Sequence, residues 1–459
     1  MINYEILKNS KNIHMIGIGG ISMSGIAEIL ENWGYNVTGS DMADSDIIRK
    51  LIKNGINVKI GDNLDDLKKA DIVVYTAAIK EDNIERVTAE NLKIPAIERA
   101  DFLGLLTTLF ENTICISGTH GKTTTTSMVS LCFMQANLNP SIQVGAILKQ
   151  LEGNYRIGGK DYFIIEACEY VDSFLKFFPK AEVILNIDND HLDYFKSLDN
   201  IKKSFGKYVE LLPYDGVLVY NIDDENCKEI PKHTNATVIS YGIFNQDADF
   251  RAENISFDYN GFPKFDVYFK NAFYQTIQLS VVGYHNILNA LSCVALCDYY
   301  EIPKRDISEG LRSFTGAHRR FEYVGEFNGA TVYDDYGHHP TEIDATVKAL
   351  RNKKYNKSWV VFQPHTYSRT KNHLSDFAKA LLGFDNVIVT DIYAAREKNI
   401  YDISSKDLVN EINSLGKEAK FISNFDDIIE YLRENVKSGD IVLTLGAGTI
   451  TELGYKIIE

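Results

Sequence analysis

Thr113-Ile114-Cys115-Ile116-Ser117-Gly118-Thr119-His120-Gly121-Lys122-Thr123-Thr124-Thr125-Thr126 carries the strongest structural signal in the chain. Its β-branched start, Thr113–Ser117, reads as a buried strand, the glycine-bearing segment as a turn, and a helix begins at about Thr123. A strand running through such a turn into a helix is the geometry that cradles triphosphate oxygens. Backbone N–H groups wrap the phosphates, Lys122 neutralises the β/γ charge, and the Thr123 hydroxyl meets Mg²⁺. The spacing, Gly-x-x-Gly-Lys-Thr, is shorter than the common phosphate-loop form. The alternative is a capped helix with a chance lysine, but four threonines in a row are poor helix-interior formers and need a local reason. The segment therefore predicts ATP on Gly118, Thr119, His120, Gly121, Lys122, Thr123 and Thr124, with Mg²⁺ as the accompanying ion.

The same strand–helix alternation extends in both directions, the pattern of parallel α/β sheets. Upstream, strands are expected at Ile13–Ile18, Asn36–Gly39, Ile72–Thr76 and Ile94–Ile97, with helices at Ser22–Trp33 and Ala100–Phe110. The phosphate-loop block adds strands at Phe163–Glu166 and Val183–Ile187. A third block follows Arg320, with strands near Thr331–Asp334, Trp359–Gln363, Val387–Thr390 and Ile441–Leu445. A chain of 459 residues is too long for one ordinary core, so two or three domains are expected, and the three blocks place them at 1–107, 108–320 and 321–459. The fold class is α/β, with parallel sheets in three blocks and the phosphate loop in the central one.

Gly17-Ile18-Gly19-Gly20-Ile21-Ser22 also follows a strand and opens a helix, where backbone N–H groups and the helix dipole favour an anion. Asp41, just after Ser40 and the next strand, stands where an acidic side chain bonds a ribose hydroxyl. Ser22 replaces the third glycine of the dinucleotide fingerprint. A purely structural tight turn and a nucleotide-diphosphate ligand other than NAD are both compatible with it.

Glu166 ends one strand of the central block and His191 follows the next. C-terminal strand ends of a parallel sheet share one edge, so the carboxylate and imidazole approach the phosphates together and hold a divalent ion with Thr123. Histidine is an unusual ligand for hard Mg²⁺; Glu169, nearby, is an alternative to Glu166. In Val282-Gly-Tyr-His-Asn-Ile-Leu-Asn-Ala290, Asn286 and Asn289 at a helix start suit nucleotide contacts, against N-capping by Asn286. Arg319-Arg320-Phe321 sits at the join to the third block, where an arginine closes over phosphate. Tyr333-Asp334-Asp335-Tyr336-Gly337-His338-His339 follows; paired histidines suggest zinc, but no third ligand has convincing spacing. Gln363-Pro-His365-Thr-Tyr367-Ser-Arg369 and Asp391-Ile-Tyr393-Ala-Ala-Arg396-Glu397 follow strands, and Gly446-Ala447-Gly448 reads as an anion-binding or a helix-packing turn.

The net charge of −15 argues against nucleic acid, whose phosphates need a basic face. Six cysteines without C-x-x-C pairs read as reduced thiols. No signal-peptide pattern and no run of about 18 apolar residues is present, so a cytoplasmic protein with no membrane partner is expected.

In combination these segments are recognisable. HMIGIGGISMSGIA (14–27), SGTHGKTTTT (117–126), EACEYVDSFLKFFP (166–179), NIDNDHLDYF (186–195), YHNILNA (284–290), HRRFE (318–322), DDYGHHPTE (334–342), QPHTYSRT (363–370) and DIYAARE (391–397) resemble the motifs of the Mur ligase family, in its order and over essentially the whole chain. The resemblance implies an ATP-dependent ligase joining L-alanine to the lactyl carboxylate of UDP-N-acetylmuramate through an acyl phosphate. It implies a Rossmann-like first domain for the UDP-sugar, with Gly19, Gly20, Ser22, Ser24, Ser40 and Asp41 as contacts, a central phosphate-loop ATPase-type domain, and a Rossmann-like third domain for the amino acid. Lys122, Glu166, His191, Asn286, Arg320 and Asp335 are implied as catalytic, Thr123, Glu166 and His191 as metal ligands, and Asn286 and Asn289 as further ATP contacts. His365, Arg369 and Tyr393 are the candidates for the amino acid. The stretch EACEY lacks the second acidic cluster of many relatives, so only Glu166 carries over firmly.

Overall fold

The computed structural model describes residues 5–76, 78–259, 261–395 and 397–458, so Arg396 lies outside the described residues. The chain divides into two compact units, Met1–Asp249 with Ser292–Ile307 and Phe250–Leu291 with Ser308–Glu459.

The first unit holds two parallel sheets. One consists of β1 (Asn12–Ile16), β2 (Asn36–Asp41), β3 (Asn57–Ile60), β4 (Ile72–Tyr75) and β5 (Ala96–Glu98) in the order β3-β2-β1-β4-β5, paired in parallel throughout. The order reverses beside β1, which puts the glycine turn that follows β1 at the switch point where such sheets take ligands. The second contains β6 (Asn112–Ser117), β7 (Ser141–Leu148), β8 (Gly153–Arg156), β9 (Tyr162–Glu166), β10 (Ala181–Ile184), β11 (Val217–Asn221) and β12 (Thr237–Gly242), ordered β12-β11-β10-β6-β9-β7-β8. Its pairs are parallel except β7 with β8. β10 and β9 flank β6, so the ends carrying Glu166 and the 185–191 segment lie on either side of the phosphate loop.

The boundary expected near residue 107 separates two sheets but not two cores. The helix Arg99–Thr107 is buried along most of its length. Trp33 packs on Phe110 at 4.9 Å between ring centroids, and Phe110 stacks on Phe163 at 4.5 Å. One apolar cluster thus runs from Ile13 and Leu30 through Phe110 to Phe174 and Phe205.

The second unit includes residues 250–291. Its β13 (Phe250–Phe257), β14 (Pro263–Phe269) and β15 (Ala272–Gln278) form an antiparallel meander. A Cβ on Gly261 would lie 3.1 Å from the Asn352 carbonyl oxygen. The remaining strands, β16 (Glu322–Phe327), β17 (Ala330–Asp335), β18 (Ser358–Phe362), β19 (Asn386–Val389), β20 (Ala419–Phe421) and β21 (Ile441–Leu445), are ordered β16-β17-β21-β18-β19-β20. Only the edge strand β16 is antiparallel. The helix Tyr284–Tyr299 spans the division between the units.

Candidate active site

The phosphate loop leaves β6 with Gly118 at φ +138° and enters the helix Lys122–Gln135 through Gly121 at φ +88°. Only glycine takes the first of these cheaply, and a Cβ on Gly118 would also sit 3.0 Å from Leu185 and 3.1 Å from the Asn186 backbone. Asn186 clamps the loop. Its carbonyl accepts from Thr119 N at 3.0 Å, its Oδ1 from His120 N at 2.8 Å, and its Nδ2 donates to the His120 carbonyl at 2.9 Å. The Thr119 hydroxyl accepts from Asp188 N at 2.9 Å, and His120 Nε2 lies 3.2 Å from Asp188 Oδ2. The sequence offered Asn186 only as one polar residue within NIDND; a side chain that bonds both edges of one loop is a tertiary fact.

The Lys122 ammonium donates to the Gly118 and Thr119 carbonyls at 2.5 and 3.1 Å and to Glu169 Oε2 at 2.9 Å. Burial works to lower its pKa, but the Glu169 carboxylate, with Cys168 and Glu166 nearby, outweighs burial and holds it above the ordinary lysine value. Lys122 is therefore a fixed positive charge at the loop. Thr123 Oγ1 donates to Glu166 Oε2 at 3.2 Å, while Glu166 Oε1 accepts from Gly145 N at 2.5 Å. A Cβ on Gly145 would fall 2.6 Å from Glu166, so glycine is what lets β7 seat that carboxylate. Glu169 is 2% exposed and lies between Lys122 and His191, whose Nε2 is 4.0 Å from Glu169 Oε1. The structure thus gives Glu169 a central position of its own beside Glu166. The hydroxyl of Thr123 and the carboxylates of Glu166 and Glu169 are the hard oxygen donors Mg²⁺ takes, so the residues fit that ion.

Strain gathers here. His191 has φ +53°, and Val171 and Asp172, just beyond Glu169, have φ +50° and +57°. Non-glycine residues in this region, a β-branched valine above all, persist where the surroundings over-determine them, often at functional sites. Tyr170 packs on the His191 ring at 4.5 Å between centroids.

At the first glycine turn, Gly17 has φ +76°, and Gly17 N and Ile18 N donate to the Ser40 carbonyl at 2.8 and 3.1 Å. Asp41 Oδ2 accepts from Gly19 N at 2.8 Å, so its carboxylate is at the turn itself. Gly19, not Gly20, is the crowded glycine: its Cβ would meet Asp41 and Ile48 at 2.8 Å, whereas nothing lies closer than 3.5 Å to one on Gly20. Two expected contacts are turned inward. Ser24 is 5% and Ser40 2% exposed, and the Ser40 hydroxyl donates to Glu85 at 2.7 Å. Glu85 also meets His14 Nε2 at 3.0 Å and Asn63 N at 3.0 Å. This buried network supports the turn from behind, because an unpaired carboxylate there would be costly. Ser22 faces β7: its hydroxyl accepts from Gln143 Nε2 at 2.9 Å and Arg99 at 3.3 Å.

In the second unit, Asn286 does not N-cap the helix Tyr284–Tyr299. Its Nδ2 donates to the Val282 carbonyl at 2.7 Å, and its Oδ1 accepts from Asn289 at 3.0 Å. The adjacent arginines split their roles. Arg319 (φ +61°) donates to the Gly446 and Gly448 carbonyls at 2.6 and 3.2 Å and to Asp334 at 3.2 Å, which makes the Gly446–Gly448 turn a packing turn. Arg320 is 31% exposed, 3.8 Å from Glu342. Asp335 accepts from Phe321 N at 2.8 Å and Gly337 N at 2.6 Å, fastening the join. Burial pushes its carboxyl up to about 6, with Arg320 opposing. His339 caps the helix Pro340–Leu350 in a capping box with Glu342. His365 stacks on Tyr393 at 5.6 Å, lies 5.7 Å from the His338 ring, and has Arg369 Nη1 3.2 Å from its Nδ1. The three amino-acid candidates therefore do meet, and His338 joins them.

A parallel-sheet domain with a lysine-bearing phosphate loop and acidic strand ends defines a nucleotide-consuming enzyme. Three family models match in series: "Mur ligase family, catalytic domain" over residues 12–111, "Mur ligase middle domain" over 116–297, and "Mur ligase, glutamate ligase domain" over 319–448. A UDP-N-acetylmuramate–L-alanine ligase of Caldanaerobacter subterraneus subsp. tengcongensis is 47% identical over 99% of this chain and 98% of its own. One from Clostridium acetobutylicum is 49% identical over 99% of both. The crystal structure of a UDP-N-acetylmuramate–alanine ligase from Thermotoga maritima superposes with a TM-score of 0.79 at 29% identity, covering 98% of each chain. The chain belongs to the Mur ligase family. It is an ATP-dependent ligase. Among the described residues no helix is long and apolar enough to cross a membrane.

Proposed function

We propose that this enzyme joins L-alanine to the lactyl carboxylate of UDP-N-acetylmuramate, consuming ATP in peptidoglycan precursor synthesis. The observation that carries the reading is the Lys122–Glu169–Glu166–Thr123 cluster at one sheet edge, on a chain whose full-length relatives bear that activity in their names. The labour divides along 1–107 for the UDP-sugar, 108–320 for ATP and 321–459 for the amino acid.

The sugar's carboxylate attacks the γ-phosphorus of ATP, ADP leaves, and an acyl phosphate forms. Both partners are anionic, so Lys122, kept protonated by Glu169, offsets the charge that builds on the γ-phosphate. Glu166, Thr123 and His191, with Glu169 beside them, would hold Mg²⁺, which supplies Lewis-acid neutralisation of phosphate oxygens. Asn186 holds the shape of the loop by taking the Thr119 and His120 N–H groups itself. Asn286, Asn289 and Arg320 add contacts to ATP, and Asp335 fixes the backbone beside Arg320. Alanine's amine then attacks the acyl carbon and phosphate departs, with Arg369, His365 and Tyr393 holding the amino acid. Gly19, Gly20, Ser22 and Asp41 contact the UDP-sugar, and Ser24 and Ser40 support that turn from within. A cytoplasmic setting suits an ATP-consuming enzyme whose cysteines form no disulfide among the described residues.

The test is phosphate release from ATP with UDP-N-acetylmuramate and a panel of amino acids and peptides. L-alanine should be preferred, with L-serine and glycine weaker. Preference for tripeptides would establish a peptide-recycling ligase instead, and release without any acceptor an ATPase switch.

A further inference from the structure

Away from the phosphate edge, three thiols converge inside the first unit. Cys132 lies on the helix that starts at Lys122. Cys293 and Cys297, four apart, share one face of the helix Tyr284–Tyr299. All three are 0% exposed. Cys132 Sγ is 3.5 Å from Cys293 Sγ, which is 3.8 Å from Cys297 Sγ, and all three sulfurs lie within 4.8 Å of one another. An atom with bonds to sulfur of about 2.3 Å, the zinc value, spaces its ligands roughly 3.8 Å apart at tetrahedral angles. Two of the three sulfur pairs are therefore close to ligand spacing, and the third lies within 4.8 Å.

Charge decides which atom suits it. Burial pushes the Cys293 and Cys297 thiols well above their ordinary range, and a divalent ion on three thiolates would leave a net negative charge in an apolar interior, which is costly. A trivalent metalloid avoids that charge. We propose that Cys132, Cys293 and Cys297 form a trithiol site for a trivalent metalloid oxyacid of the arsenite class, whose capture ties the phosphate-loop helix to the helix Tyr284–Tyr299. In the capture, As(OH)₃ and three thiols give As(SR)₃ and three waters. Three As–O bonds break, three As–S bonds form, and each thiol proton leaves with a hydroxide. Arsenic stays trivalent, nothing is oxidised, and reactants and products are neutral. Because the sulfurs are covered, uptake awaits local opening of the helix pair and is slow.

The experiment uses the full reduced chain and sodium arsenite, both with the native protein and during refolding from urea, followed by removal of free arsenite. Native mass spectrometry should show one arsenic per chain with loss of three hydrogens. Thiols titratable under denaturing conditions should fall from six to three. Thermal unfolding should shift upward, as for any ligand that binds the folded state. Cys132→Ala and Cys293→Ser should each abolish the adduct, while Cys168→Ser, which changes an exposed cysteine outside the cluster, should leave it intact. Failure of the refolded chain to retain arsenic, or retention by folded Cys132→Ala, would overturn the site. Should the cluster variants fold poorly, arsenic X-ray absorption on the unsubstituted chain decides: three sulfur neighbours support the proposal, and fewer sink it.

Discussion

Lys122 Nζ lies 2.9 Å from Glu169 Oε2 at the mouth of the phosphate loop. The pair fixes both the position of the ammonium and its charge, since the carboxylate is what overcomes burial and raises the lysine pKa. Replacing Lys122 by Ala should leave the fold intact and lower kcat by about two to three orders of magnitude, the usual cost of deleting one group aimed at developing charge. Glu169→Gln should lower the Lys122 pKa, read by NMR of the labelled side chain, and reduce turnover with it. An unchanged lysine pKa in that variant would remove Glu169 from this role.

Glu166 ends β9 and His191 lies in the segment after β10, the two strands that flank β6. If both serve the metal, Glu166→Ala and His191→Ala should each raise the Mg²⁺ concentration required for half-maximal rate. The double variant should depart from additivity, as residues sharing one site do. Strictly additive losses would assign the two residues to separate tasks.

Gly19 is the sharper probe of the UDP-sugar turn than its neighbour Gly20. A side chain at Gly19 collides with Asp41 and Ile48 at 2.8 Å, whereas one at Gly20 meets nothing closer than 3.5 Å within the protein. Gly19→Val and Asp41→Ala should both weaken UDP-sugar binding by calorimetry while nucleotide binding changes little. Gly20→Val should weaken it only through contact with the ligand itself. Loss of ATP affinity instead would relocate the sugar site.

Those glycines mark where sequence reading succeeds and where it stops. The phosphate loop, Glu166 and His191 were legible because a strand end fixes where the next residues emerge, and β9 and β10 do flank β6. Asn186 and Glu85 were not, since each works through partners 22 to 71 residues away that only the fold brings close. The inward turn of Ser40 was hidden for the same reason: alternation along β2 predicts a face, but the buried acceptor comes from Glu85. The 107 boundary followed the sheets, yet Phe110 and Phe163 join their cores.

Glu182, in the middle of β10, gives a pH-dependent outcome. Both of its carboxyl oxygens are buried with no hydrogen-bond partner among the described residues, and burial raises its pKa well above the ordinary value. A carboxyl whose folded pKa is raised binds more protons folded than unfolded, so it costs stability as pH rises above its unfolded value of about 4.3. Relative to Glu182→Gln, the native protein should lose up to about 1.4 kcal/mol per pH unit from pH 5 upward, levelling once the folded group ionises. Urea unfolding of both proteins at pH 5, 6, 7 and 8 reads the difference. Parallel curves would show that the carboxyl is not buried in solution.

Arg369 tests the amino-acid end of the reaction. Its guanidinium lies 3.2 Å from His365 Nδ1, and His365 in turn stacks on Tyr393. Two flat rings and a planar cation make a small walled site that suits a short side chain beside a carboxylate. A guanidinium binds a carboxylate through two parallel bonds that lysine does not reproduce. Charge-assisted hydrogen bonds are worth about 1.5–3 kcal/mol, so Arg369→Ala should raise the KM for L-alanine roughly 10- to 100-fold with little change in the KM for ATP. Arg369→Lys should recover only part of the loss, because the charge returns without the fork. Discrimination against glycine should survive in both variants, since it rests on one methyl group in the pocket, worth about 1–3 kcal/mol. Equal rises in the two KM values would instead assign Arg369 to the nucleotide or to the packing of its own domain.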